Sequence, residues 1–161
     1  MSIKLPLFKQ ENRNTCALAC LRMVLAACGT VVAERDLEDE ARMEVDGTDI
    51  GELERLARQF GLAAEIQEPN VNQLGQLLAD GKLPIAYIDR AVFELTPAAR
   101  DRHSLRNARI HTVIPTRVSK ASIWYHDPMQ PRPVRKSIRL FRLAYERLGG
   151  RSVVCWKAAS A

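Results

Sequence analysis

The run Cys16-Ala-Leu-Ala-Cys-Leu-Arg-Met-Val-Leu-Ala-Ala-Cys28 constrains this chain more than any other feature. It is apolar almost all the way round a helix, interrupted only by Arg22. A helix on a protein surface keeps a polar face, so one apolar on every side must be enclosed by the fold. The run is too short to span a bilayer. It therefore predicts a buried central helix, capped by Asn14 or Thr15 and stopped by Gly29. Hydrophobic residues form 47% of the 161, enough to surround such a helix with one core. One domain over residues 1–161 is the expectation.

The remaining pattern divides into helices first and strands second. Residues 1–14 form an irregular lead-in, 35–41 a short helix, and Asp49 with Glu52 opens a helix over 50–60. Leu53, Leu56, Ala57 and Phe60 recur at helical spacing as its apolar stripe. A strand over 62–66, a helix over 72–79 and a strand over 85–88 follow. Residues 96–107 read as a loop or short helix, and the charged 89–110 segment as either a gate over a site or a plain insertion. Strand-like segments then occupy 110–117, 121–126 and 134–136, with Pro115 marking a sheet edge or a bulge. A helix from Ile138 or Arg139 to about Leu148 and a strand over 152–156 close the chain. Helices followed by antiparallel strands define an α+β class, with the central helix packed on a C-terminal antiparallel sheet.

Four cysteines are present, and Cys16 and Cys20 sit one helical turn apart, a poor disulfide geometry. Their spacing also lacks the paired pattern of a zinc site, so neither metal nor cofactor is expected. Reduced thiols, no secretory signal and no transmembrane segment together point to the cytoplasm. The net charge of +5 is concentrated between Arg132 and Arg151. That stretch has no interleaved aromatic residues or nucleic-acid motif, so it reads as a solvated helix face and argues against nucleic acid as a partner. The oligomeric state is left open.

Cys16 stands at the start of the buried helix, where unpaired N–H groups carry partial positive charge. A thiol there ionises more readily, and the same N–H groups can stabilise an oxyanion. Gln10, on the lead-in, is placed to add a side-chain N–H. A thiol also needs a base, and the chain has three histidines. His111 opens a strand whose hairpin partner ends at Tyr125-His126-Asp127, so antiparallel pairing brings His111 opposite Asp127. Cys16 as nucleophile, His111 as base and Asp127 as its orienter follow. Cys20, Cys28 and Cys155 are assigned to packing, and His103 to the polar loop.

The block Gln10-Glu-Asn-Arg-Asn-Thr-Cys16-Ala-Leu-Ala-Cys-Leu-Arg-Met-Val-Leu25 resembles the start of the bacteriocin-processing, double-glycine leader peptidases. Thr48 to Leu62, Lys82-Leu-Pro-Ile85, His111-Thr-Val-Ile and Tyr125-His-Asp-Pro128 match later blocks of that family in order. The resemblance implies a papain-like fold, Gln10 as oxyanion residue, and Cys16, His111 and Asp127 as catalytic residues. Ala17 stands where the family usually has Gly, and no nucleotide-binding Gly-x-x-x-x-Gly-Lys-Ser/Thr loop is present. A stand-alone domain without the ABC exporter is therefore expected. It would act on a peptide or protein substrate, cleaving a peptide or isopeptide bond through an acyl-enzyme. The alternatives are an acyltransferase using the same cysteine and a non-catalytic peptide- or protein-binding module on the same fold.

Overall fold

The computed structural model describes residues 3–160. Helix α1 (Cys16–Ala27) is enclosed as its composition requires: Leu18, Leu21, Met23, Val24 and Leu25 are each 0% exposed. Arg22 lies along the edge of this core, its Nε donating to the Val32 carbonyl and its guanidinium stacked on the Phe8 ring. The helix ends in a Schellman turn. The Thr30 N–H reaches the Leu25 carbonyl and the Gly29 N–H the Ala26 carbonyl, with Gly29 at a φ of 96°. Only glycine adopts that backbone conformation without steric cost.

The other helices are α2 (Glu34–Glu40), α3 (Ile50–Gln59), α4 (Val71–Ala79), α5 (Ala91–Glu94), α6 (Pro97–Arg102) and α7 (Ile138–Glu146). The strands are β1 (Leu62–Gln67), β2 (Leu83–Asp89), β3 (Ile110–Val118), β4 (Ser122–His126), β5 (Val134–Ser137) and β6 (Ser152–Lys157). They form one antiparallel sheet in the order β1-β6-β2-β3-β4-β5. The α+β class is as expected. The sheet, however, also recruits two strands from the helix-rich first half, β1 and β2, and the last strand inserts between them.

β2 explains how the layers are held. Leu83, Ile85 and Tyr87 face the core built on α1 and α3, while Ala86 and Ile88 face a second core with α4, α5 and α7. Successive strand residues point to opposite faces, so a strand covered on both sides must be apolar throughout. Pro115 falls at a register shift between Pro115 and Arg117, the bulge its missing N–H requires. Expected helix and strand bounds agree within a residue or two. The irregular lead-in is seen over 3–14, and its first two residues lie outside the described range. Helix α5 was not foreseen, because four residues carry too little periodicity to read.

Two cap details differ from expectation. Thr15 is the N-cap of α1 by position, but its hydroxyl turns back to donate to the Asn12 carbonyl at 3.0 Å and caps no helical N–H. Asp49 caps α3 at the Gly51 N–H, while Glu52 turns away from a reciprocal bond and pairs with Arg55. No helix among the described residues is long and apolar enough to cross a membrane.

Candidate active site

The loop before α1, the start of β3 and the end of β4 converge on one cleft. Cys16 is the first residue of α1, and the first backbone N–H bonded within that helix is Ala19, to the Thr15 carbonyl. With Thr15 turned away, the preceding N–H groups have no side-chain cap, leaving partial positive charge beside the sulfur. His111, the second residue of β3, pairs with Ile88 of β2 and is 5% exposed. Asp127 follows β4, whose His126 pairs with Ile114 of β3. The hairpin thus sets His111 Nε2 to donate to Asp127 Oδ1 at 2.7 Å. Asp127 Oδ1 also accepts the Met129 N–H at 2.8 Å, which fixes the carboxylate.

With Nε2 held by Asp127, Nδ1 is the ring nitrogen left for the Cys16 thiol. Burial pushes Cys16 up, but the hydrogen bond and charge of His111, with help from Thr112, outweigh it and hold the thiol below its ordinary value. Burial alone would drive His111 down. The hydrogen bonds and charges of Asp127 and Cys16 overcome it and push His111 up to about 9. Burial likewise raises Asp127, and the hydrogen bond and charge of His111, with the Met129 N–H and Arg90, more than reverse this, so the carboxyl lies below its usual range. These directions favour a thiolate–imidazolium pair oriented by a carboxylate.

The cleft, about 440 Å³, is lined by Gln10, Cys16 and His111, with Arg90, Arg109 and Met129 on one flank and Val45 and Asp46 on another. Gln10 lines the same cleft as Cys16. Its backbone N–H bonds the Pro128 carbonyl at 2.8 Å, tying the lead-in to the Asp127 loop. Its side-chain Nε2 donates to the Asn12 and Arg13 carbonyls at 2.8 and 3.2 Å, and its buried Oε1 is unpartnered among the described residues.

Other thiols and imidazoles have separate settings. Cys20 is buried one turn beyond Cys16, its Sγ donating to the Thr112 carbonyl at 3.5 Å, and burial raises its pKa strongly. Burial pushes Cys155 up to about 12. Cys28 is half-buried at the end of α1. His126 Nδ1 meets the Pro6 carbonyl at 3.2 Å and anchors the lead-in. His103 is not a loose loop residue. Its Nε2 sits 2.7 Å from Asp89 Oδ2, and Asp89 is 0% exposed. Arg147 of the α7 terminus approaches the same Oδ2 at 3.6 Å and bonds the His103 carbonyl. The Asp89 Oδ1 accepts the Ala91 and Arg109 N–H groups at 3.1 and 2.9 Å. One buried carboxylate therefore closes both ends of the 90–109 segment. An aspartate at the end of an all-apolar strand was the available signal for it.

A family model, described as the peptidase C39 family, matches residues 4–93. The chain belongs to the peptidase C39 family. The matched stretch holds Gln10 and Cys16, while His111 and Asp127 lie beyond it. No curated protein matches the chain. Among solved structures it is similar to a C39-like peptidase from Bacillus anthracis, at 16% identity and a TM-score of 0.76, over 98% of this chain and 96% of that one. It is similar to a double glycine motif protease from an AMS/PCAT transporter, solved in complex with the leader peptide. There the identity is 18%, the TM-score 0.71 and the coverage 98% and 94%. The peptidase domain of Streptococcus ComA, a bifunctional ABC transporter of a quorum-sensing pathway, matches at 15% identity and a TM-score of 0.73. That likeness covers 96% of this chain and 100% of the other. The architecture is thus the papain-like fold of C39 peptidases, and at the family level the activity is that of a cysteine peptidase.

Proposed function

We propose that this C39 chain is, as one domain, a peptide-bond hydrolase with Cys16 as nucleophile, His111 as base and acid, and Asp127 as the residue that orients His111. The convergence of the three side chains at the uncapped start of α1 carries the reading. The Cys16 thiolate adds to the scissile carbonyl carbon, forming a C–S bond and an oxyanion. The free N–H groups at the α1 terminus are oriented to stabilise that charge. The Gln10 amide would join them once rotated away from the Asn12 and Arg13 carbonyls. Collapse breaks the C–N bond as the imidazolium gives its proton to the departing amine. Water, deprotonated by His111, then attacks the thioester. The acyl group leaves as a carboxylic acid and the thiol is regenerated.

Asp127 serves by stabilising the imidazolium and holding the ring so that Nδ1 faces sulfur. The test is incubation with a mixed peptide panel, including peptides with the double glycine motif for which the similar transporter protease is named. New termini are read by mass spectrometry. Cleavage that vanishes in Cys16→Ala and His111→Ala is the expected result. Cleavage independent of Cys16, or none at all while Cys16 reacts with iodoacetamide no faster than Cys20 or Cys155, would overturn the reading.

A further inference from the structure

Beside the Cys16 cleft lies a second cavity of about 300 Å³, which shares the lining residues Asp46 and Ile110 with it. A space of this size is at the lower limit for small-molecule sites and suits one long side chain. Its apolar lining comes from Ile50, Tyr87, Ile110 and Leu148. Its rim is acidic: Glu44, Asp46 and Asp49 line it against a single cation, Arg151. Arg151 already has a carboxylate outside the cavity, Glu68 at 3.6 Å. Among the described residues, Glu44 and Asp46 enter no salt bridge, whereas Asp49 is occupied in capping α3.

An independent observation comes from the lining. Thr48 is 7% exposed, and its Oγ1 finds no hydrogen-bond partner among the described residues. A buried hydroxyl left unmatched costs free energy that a donor entering the cavity would recover.

We infer that this cavity is the side-chain pocket of the peptide substrate and takes a lysine or arginine close to the scissile bond, an inference that rests on the peptidase reading above. The methylene stem packs on Ile50, Tyr87 and Ile110, as long cationic side chains do on apolar surface. The cationic head then meets the Glu44 and Asp46 carboxylates and the Thr48 hydroxyl.

The test uses tripeptidyl acyloxymethyl ketones carrying Lys, Leu or Glu at each of the three positions, with Cys16 labelling followed by mass spectrometry. Each rate is divided by the same protein's iodoacetamide rate at Cys16. At one position Lys should label roughly tenfold faster than Leu or Glu, as expected for two carboxylates near the surface. The advantage should shrink in high salt and reverse in Glu44→Lys/Asp46→Lys. The wild-type salt series decides the matter even if that double variant does not fold. Equal labelling by Lys, Leu and Glu at every position, with Cys16 still fast towards iodoacetamide, overturns the pocket and leaves the peptidase reading intact. A Cys16 slow towards iodoacetamide removes both.

Discussion

Replacing Asp127 by Asn removes a charge with little change of shape. Oδ1 accepts both the His111 Nε2 and Met129 N–H bonds, and an asparagine carbonyl oxygen can do the same. The magnitude follows from His111, which rises from its ordinary 6.5 to about 9 against an opposing burial effect. That rise corresponds to on the order of 3 kcal/mol in favour of the imidazolium. Asp127 and Cys16 supply it between them, with the Asp127 hydrogen bond the leading cause, so turning that charged hydrogen bond into a neutral one should remove about half, roughly 1.5–2 kcal/mol. The thiolate–imidazolium population should then fall by about tenfold to thirtyfold. Iodoacetamide labelling of Cys16, followed from about pH 5 to about pH 10, reads this directly because only the thiolate reacts. In wild type, reactivity should appear below the ordinary thiol range and persist as pH rises through the His111 value of about 9, because the thiolate remains when the imidazolium loses its proton. In Asp127→Asn it should drop by about an order of magnitude near neutral pH and rejoin wild type only in the alkaline range. An unchanged profile would refute the assignment of the raised His111 pKa to Asp127.

Four further outcomes are expected. Asp127 has a depressed folded-state pKa, so its contribution to stability is present above its ordinary 3.8 and lost as pH falls through the lower folded value; acid denaturation followed by circular dichroism should therefore be shallower in Asp127→Asn. Asp89→Ala leaves His103 and Arg147 without their buried carboxylate and should destabilise by about 3–5 kcal/mol in urea titrations, with trypsin gaining access to Arg100, Arg102 and Arg106. Leu21→Ala, at a position 0% exposed in α1, should cost about 2–5 kcal/mol, and Gly29→Ala about 1 kcal/mol through its positive φ; chemical denaturation with an unchanged m-value checks both.

Features that depend on neighbours in the chain were legible beforehand. The all-round apolar run dictated the burial of α1, because no exposed helix has that composition. The glycine after it dictated the Schellman stop. The hairpin between residues 118 and 122 brought His111 near Asp127, since antiparallel pairing relates the start of one strand to the end of the next. Cys16 at the start of that run, and His111 and Asp127 across that hairpin, were therefore singled out from the sequence, and Gln10 from its spacing before the cysteine.

Tertiary structure decided what side chains do once distant segments meet. Thr15 sits where a cap belongs, yet bonds Asn12 and leaves the helix end open beside the thiol. Gln10 lies on the cleft wall with both amide hydrogens on backbone carbonyls. β6 enters between β1 and β2, far from either in sequence. Asp89 gathers His103, Arg147 and two backbone N–H groups from three segments, and the acidic pocket draws its walls from residues 44–50, 87, 110 and 148–151. Periodicity and caps are written in adjacent residues because a helix or hairpin closes its own hydrogen bonds. A cleft wall or a buried ion cluster is chosen only when the packed fold determines which polar groups lose water and which partners they then find.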